Sequence, residues 1–221
     1  SSELNYFKTL NPNNYFPNID KVKSFLYEGY RVTKQDNSTF IKNIYSFPPS
    51  QIWQLNKDFK TKKLTYWKLE YKPNFEMSYS EARNKTQELI ENSIKIRSRA
   101  DVNVGISLSG GVDSCLMSYF FHKNIKKDFQ TFTVIDEDQR YNEEKNIDLM
   151  IEHLNLDKEQ VNKIILKKEN FISDLKSLVS YHSAPVQTIS SYINSLIGRK
   201  ATDNNVKVML SGLGADELYL G

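Results

Sequence analysis

Two stretches, Ser109-Gly-Gly-Val-Asp-Ser114 and Leu210-Ser-Gly-Leu-Gly-Ala-Asp-Glu-Leu218, hold residue types from which phosphate chemistry can be built. Five of the eight glycines (Gly110, Gly111, Gly212, Gly214 and Gly221) fall in or just after them. A residue without Cβ lets backbone N–H groups close on an anion, and a helix opening behind such a turn adds its positive end. Ser109 and Ser114 supply hydroxyl donors. A carboxylate in a phosphate site repels its ligand unless a cation bridges the two, so Asp113 points to Mg²⁺. The plain alternative is an ordinary Ser/Gly turn between a strand and a helix. Five specified residues at about 7% each recur by chance about once in 10⁶ positions, which disfavours it. The Gly-x-x-x-x-Gly-Lys-Ser/Thr loop of γ-phosphate enzymes is absent.

These turns need elements to hold them. Ser78-Tyr-Ser-Glu81 has capping-box spacing, and Ala82, Leu89, Ile90 and Ile94 follow at helical intervals. Val102, Val104, Ile106 and Leu108 alternate as a strand does, and a helix is expected from about Asp113 through Phe121. Strands at 129–135, 161–166 and 206–210 alternate with helical patterns around Ile147–Leu154, Phe171–Tyr181 and Thr188–Lys200. This order predicts an α/β fold: a doubly wound parallel sheet with helices on both faces. Both glycine turns then lie at carboxyl ends of strands, where open parallel sheets bind ligands.

Before residue 80 the texture differs. Five of six prolines and 17 of 27 aromatic residues lie there, with one helical pattern near Ile19–Tyr30. An irregular aromatic-rich N-terminal arm is expected, docked by rings that each bury roughly 150–250 Å². Charge and cysteine content narrow the function classes. Thirty Lys+Arg against 27 Asp+Glu leave +3, too little for nucleic acid or an anionic membrane as main partner. One cysteine, Cys115, excludes an internal disulfide and a four-Cys zinc site, and reads as a small core residue. No stretch approaches the roughly 20 apolar residues that span a bilayer, and the start lacks signal-peptide character; a cytoplasmic location is expected.

Ser-Gly-Gly-x-Asp-Ser after a strand resembles the pyrophosphate loop of the N-type ATP pyrophosphatases, which cleave ATP between the α- and β-phosphates to adenylate a substrate. The second stretch is similar to the Ser-Gly-x-Gly-Ala/Ser-Asp-Glu segment of the asparagine synthetase family. Ser38-Thr-Phe-Ile-Lys-Asn-Ile-Tyr-Ser-Phe-Pro-Pro49, Tyr66-Trp67 and Arg97–Val104 resemble further parts of its synthetase half, and Ser1-Ser-Glu-Leu resembles the last strand of its glutaminase domain. The resemblance implies an adenine nucleotide alpha hydrolase-like domain over 80–221, with 1–79 as a linker. It implies a longer protein, with a glutaminase domain before residue 1 and a helical continuation, carrying a catalytic lysine, after residue 221. It implies ATP and Mg²⁺ as cofactors, with Asp113 and Asp216 as catalytic residues and metal ligands. Leu108, Ser109, Gly110, Gly111, Ser114, Val134, Ser211 and Gly212 would hold ATP and pyrophosphate. A small-molecule carboxylate and glutamine-derived ammonia would be the partners, with no nucleic acid, no membrane and a possible homodimer.

Two features depart from the pattern. Leu213 stands where asparagine synthetases carry Glu or Asp and the related β-lactam-forming enzymes carry Tyr. Tyr181-His-Ser-Ala-Pro-Val-Gln187 lacks the acid that often precedes its proline. Leucine neither orients a polar substrate nor exchanges a proton, so a larger or less polar acceptor than aspartate is expected, unless Leu213 merely packs. His182, at a helix end, is a candidate for the substrate pocket, although a capping or solvated histidine is the commoner role. Lys123–Lys127 and Lys163–Lys168 read as solvated faces. The alternative functions are a tRNA-modifying adenylating enzyme and a nucleotide-binding homologue without turnover.

Overall fold

The computed structural model describes residues 3–30, 36–125 and 129–219. Ser1, Ser2, Lys126, Lys127 and Gly221, which the sequence reading used, lie outside them, as does the side chain of Lys168. The chain divides into two compact units, 1–76 with 175–188 and 77–174 with 189–221.

In the first unit, α1 (Asn5–Leu10) and α2 (Ile19–Glu28) precede a hairpin of β1 (Gln51–Leu55) and β2 (Thr61–Thr65). Asn18 caps α2 by accepting from the Lys21 amide (3.2 Å), and its own amide group donates to Thr39 O (3.1 Å). The hairpin, which pairs Gln51 with Thr65 and Leu55 with Thr61, was not foreseen. Both strands stand almost wholly exposed, so no alternation of apolar and polar residues marks them. Most of the arm's aromatic rings are exposed, contrary to the burial expected of them. Tyr27, Phe59, Tyr71 and Phe75 are more than 80% exposed, and Phe40 is buried with Phe25 edge-on against it. Polar bonds also tie the segment together. Asn5 donates to Tyr181 O (2.7 Å) and accepts from the Ser183 hydroxyl (2.8 Å).

The buried ammonium of Lys21 meets Asp36 Oδ1 at 2.7 Å, and the same oxygen accepts from the Ser38 hydroxyl and amide. The bond from Lys21, then those from Ser38, lower the Asp36 pKa to about 2. A carboxyl depressed in the folded state stabilises it above the unfolded value near ~4 and loses that contribution as pH falls through the folded one. The first unit should therefore loosen between about pH 4 and pH 2. Acid titration of wild type and Asp36→Asn by circular dichroism checks this, because the variant should lack that component at every pH.

The second unit begins with α3 (Tyr79–Arg97) on the expected capping box. Ser78 Oγ accepts from the Glu81 amide while the Glu81 carboxylate accepts from the Ser78 amide. There follow β3 (Val104–Ser107), α4 (Val112–Ile125), β4 (Gln130–Ile135), α5 (Glu144–His153), β5 (Val161–Ile165), α6 (Phe171–His182), α7 (Ile189–Asp203), β6 (Val208–Leu210) and α8 (Ala215–Tyr219). Helix α6 runs from the second unit into the first at 174/175. The strands are one to three residues shorter than the sequence suggested, because their ends leave the ladder to form the loops. The parallel sheet has the order β5-β4-β3-β6.

That order explains the layers. The chain steps from β3 to β4 to β5 in one direction, then returns to set β6 on the far side of β3. Ile94, Val104, Ile106, Phe120, Phe121, Phe129 and Leu154 fill the space between the sheet and α3, α4 and α5. On the opposite face Phe132, Val134, Ile164 and Met209 pack against Ile193, Ile197 and Ala201 of α7. Gly105 sits at the sheet centre because that face has no room. A Cβ there would lie 2.6 Å from Met209 Sδ and 2.7 Å from Phe132 Cε2. The protein is thus α/β with a parallel sheet covered by helices on both faces. No described helix is long and apolar enough to cross a membrane.

Candidate active site

The strand order reverses between β3 and β6. In open α/β sheets this switch point is where a crevice opens beyond the carboxyl ends of the strands, because the flanking connections leave in opposite directions. The loop after β3 is Leu108–Gly111 and the loop after β6 is Ser211–Gly214, so the two glycine-rich turns face this crevice together. A cavity of about 870 Å³ occupies it, within the range of small-molecule sites.

The first loop is braced from within. Ser114, buried in the first turn of α4, accepts from the Ser109 amide (3.1 Å) and stands within bonding distance of Ser109 Oγ (3.0 Å) and Gly111 O (3.1 Å). In this arrangement its hydroxyl shapes the loop. Ser109, expected beside it as a phosphate donor, is exposed, and its hydroxyl accepts weakly from the Gly111 amide (3.4 Å). Gly110 takes φ +80°, and a Cβ there would press on the Glu143 backbone at 3.2 Å. Cys115 N donates to Gly111 O (3.1 Å) as the first helical bond of α4, so the amides before it have no intrahelical acceptor and open toward the cavity.

The second loop lies directly on the first. A Cβ on Gly212 would stand 3.0 Å from Asp113 Cβ and 3.1 Å from both Asp113 C and Ser114 N. Only glycine permits this approach of backbone to backbone. Ser211 Oγ accepts from the Leu213 amide (3.2 Å), and Leu213 itself is 76% exposed at the cavity rim.

The structure brings Leu108, Ser109, Gly111, Asp113, Ser114, Val134, Ser211, Gly212, Leu213 and Asp216 into one cavity wall. Gly110 supports that wall from behind the loop. His182 belongs to the first unit, exposed at the end of α6 with its ring edge-on to Tyr181 at 5.2 Å. Cys115 is half-buried beside the Leu108–Ile135–Ile147 cluster, and burial pushes its thiol pKa up, which suits packing and not nucleophilic attack.

Other lining residues went unforeseen. Ile189, Ser190, Ile193, Asn194 and Ile197 come from α7, and Asp136, Tyr141, Glu143, Leu166 and Glu217 from other loops and from α8. Ile189, Ile193 and Ile197 recur every four residues, a spacing visible in the sequence, but nothing there says which face of α7 meets a cavity. Helix α7 is fixed by buried Tyr192, whose ring packs edge-on to Phe171 (5.0 Å) and whose hydroxyl donates to Asp174 (3.3 Å). Asp174 also pairs with Arg199 (2.6 Å). Burial, then the Asp174 charge, raise the Tyr192 pKa and keep the hydroxyl a donor.

Five carboxylates line the cavity (Asp113, Asp136, Glu143, Asp216 and Glu217), and no Lys, Arg or His is among the described lining residues. No group of three or more His, Cys, Asp or Glu is gathered to hold a metal among the described residues. Mg²⁺ does not need such a cage. It keeps several waters and binds through one or two carboxylates plus phosphate oxygens, which Asp113 and Asp216 on one wall fit.

Residues 85–221 match the family model described as asparagine synthase. The chain is 27% identical to asparagine synthetase [glutamine-hydrolyzing] 1 of Bacillus subtilis (strain 168), over 98% of this chain and 35% of that protein. It is 27% identical to asparagine synthetase [glutamine-hydrolyzing] 2 of the same organism, over 85% of this chain and 26% of that protein. The chain thus spans about a third or less of the length of these relatives. Among solved structures, an NH3-dependent NAD synthetase from Campylobacter jejuni overlaps with a TM-score of 0.39 at 18% identity, covering 66% of this chain and 61% of that one.

Proposed function

The chain belongs to the asparagine synthase family, and on that footing we propose that it binds ATP with Mg²⁺ at the sheet's switch point and activates a carboxylate for amide formation. The observation that carries this reading is the seating of Gly212 on the Asp113–Ser114 backbone, which joins two glycine turns and two acids around one cavity. The pyrophosphate moiety rests on Gly111 and the opening amides of α4, with exposed Ser109 beside it, Gly110 backing the loop and Ser114 bracing it. Asp113 and Asp216 hold Mg²⁺. A wall of carboxylates without a described base repels a bare polyphosphate, so the metal is part of the ligand. Leu108 and Val134 frame the nucleoside, and Ser211 closes the site beside Gly212.

A carboxylate oxygen of the acceptor bonds to the α-phosphorus, the α–β P–O bond breaks, and pyrophosphate leaves with the electron pair. Mg²⁺ held by Asp113 and Asp216 would neutralise the charge that develops on the leaving group. Ammonia then attacks the acyl carbon, AMP departs, and a proton is lost from nitrogen. The supply of ammonia by glutamine hydrolysis and a cytoplasmic setting complete the proposal.

Leu213 narrows the acceptor. Burying a charged group without partners costs well above the ~2–7 kcal/mol of an unpaired neutral polar group. Leu213 offers none and no base is described on the cavity wall, so carboxylates with an apolar body should support ATP–pyrophosphate exchange better than aspartate, with AMP and pyrophosphate as products. Exchange assays over a panel of carboxylates check this. Equal or better exchange with aspartate, at a rate unchanged by Leu213→Glu, would show that this position does not select the acceptor, and ADP with inorganic phosphate would refute adenylation.

A further inference from the structure

The loop after β3 leans on α5. A Cβ on Gly110 would lie 3.2 Å from both Glu143 Cβ and Glu143 O, and 3.3 Å from Asn146 Cβ. Gly110 is therefore seated on the first turn of this helix, and a shift of that turn passes to the loop, because close-packed groups transmit displacement. Three features hold the turn. Asn142 Oδ1 accepts from the Glu144 amide (2.8 Å). Buried Ile147 packs with Leu108 and Ile135. From the sheet, Lys163 of β5 reaches Glu144 Oε1 (2.8 Å) and Asp148 Oδ1 (2.6 Å), one helical turn apart. The sequence places Lys163 among solvated lysines, yet its side chain is 31% exposed and is taken up by these two acids. Burial alone would lower the pKa of its ammonium, but the bonds to Asp148 and Glu144 raise it, so the charge persists.

We infer that Lys163 is a positioning residue for the Ser109–Ser114 loop: by joining Glu144 to Asp148 it holds the first turn of α5, on which Gly110 rests. It touches no ligand and acts through Glu143, Asn146 and Gly110. Without its charge Glu144 and Asp148 become like charges at i,i+4, which destabilise a helix. Partly exposed ion pairs add little to global stability, so what Lys163 supplies is the placement of α5 more than the strength of the fold. Its effect on binding rests on the nucleotide reading above, whereas its effect on the loop is measurable with no nucleotide present.

The test compares wild type with Lys163→Met, which keeps an unbranched side chain and removes the charge, and Lys163→Arg, which keeps the charge. Asp148→Asn cuts one arm from the helix side and repeats the test should Lys163→Met fold poorly. Val206→Ala is the control for general destabilisation, because Val206 is buried just before β6, at the amino ends of the strands. In hydrogen exchange of the nucleotide-free chain, peptides covering 108–115 should exchange at least about threefold faster in Lys163→Met than in wild type. Lys163→Arg and Val206→Ala should match wild type there. Calorimetry should then show Mg-ATP affinity about three- to tenfold weaker in Lys163→Met and within about twofold of wild type in Lys163→Arg and Val206→Ala. Loop exchange unchanged in Lys163→Met, or raised equally by Val206→Ala, overturns the inference, as does unchanged affinity in Lys163→Met beside a wild type that binds. Faster loop exchange in Lys163→Met with no Mg-ATP binding by wild type would uphold the role in the loop and strike the nucleotide reading instead.

Discussion

Gly212→Ala should lower Mg-ATP affinity by at least about tenfold while the melting temperature stays within a few degrees of wild type. The added methyl would meet Asp113 Cβ at 3.0 Å and the backbone atoms Asp113 C and Ser114 N at 3.1 Å. Backbone at the head of a helix cannot swing aside as the end of a flexible side chain can. The two loops must part by several tenths of an ångström, close to the roughly 0.5 Å tolerance within which a binding constellation works. Gly212 and the two residues it meets, Asp113 and Ser114, belong to no core cluster, so the fold should bear the change. Gly198→Ala is the matched control. It lies on α7 with nothing within 4 Å of the new Cβ, and should leave binding unchanged and add up to about 1 kcal/mol of helix stability. Calorimetry and thermal melts on the two variants separate the effects.

Much of the second unit could be read from periodicity because its elements bury one face. Val104 and Ile106 on β3, or Ile147 and Leu154 beside α5, carry the spacing of the surfaces they cover. The hairpin at 51–65 escaped because neither strand covers anything. Its turn is held by Asn56, which accepts from the Asp58 and Lys60 amides, with Phe59 at φ +58°, and no Asn-Gly announces it. The aromatic arm misled for a related reason. Rings such as Tyr71 and Phe75 suggested burial, yet both stand about 90% exposed. The glycine turns of the candidate site were legible because both chemistry and backbone demand particular residues there. Its α7 wall was not, since Ile193 and Asn194 reach the cavity only through the return of the chain from β5 to β6, a long-range event that local spacing does not encode.

Asp113→Asn should have the largest effect on ligand binding of any single substitution that leaves the cavity shape intact. The side chains are equal in size, and Gly212 packs on the Cβ and backbone, which the change leaves in place. What disappears is an anionic oxygen ligand to a hard cation, on a wall whose ligand carries several negative charges of its own. Loss of even an outer-shell partner of a metal costs about 10–100-fold, so a direct ligand should cost at least that. The most direct measurement is titration calorimetry of wild type and Asp113→Asn with ATP, in Mg²⁺ and again in EDTA. Wild type should bind in Mg²⁺ at least about tenfold more tightly than the variant, and the gap should close in EDTA. Equal affinity of the two proteins in Mg²⁺ would contradict a metal–nucleotide site at this loop.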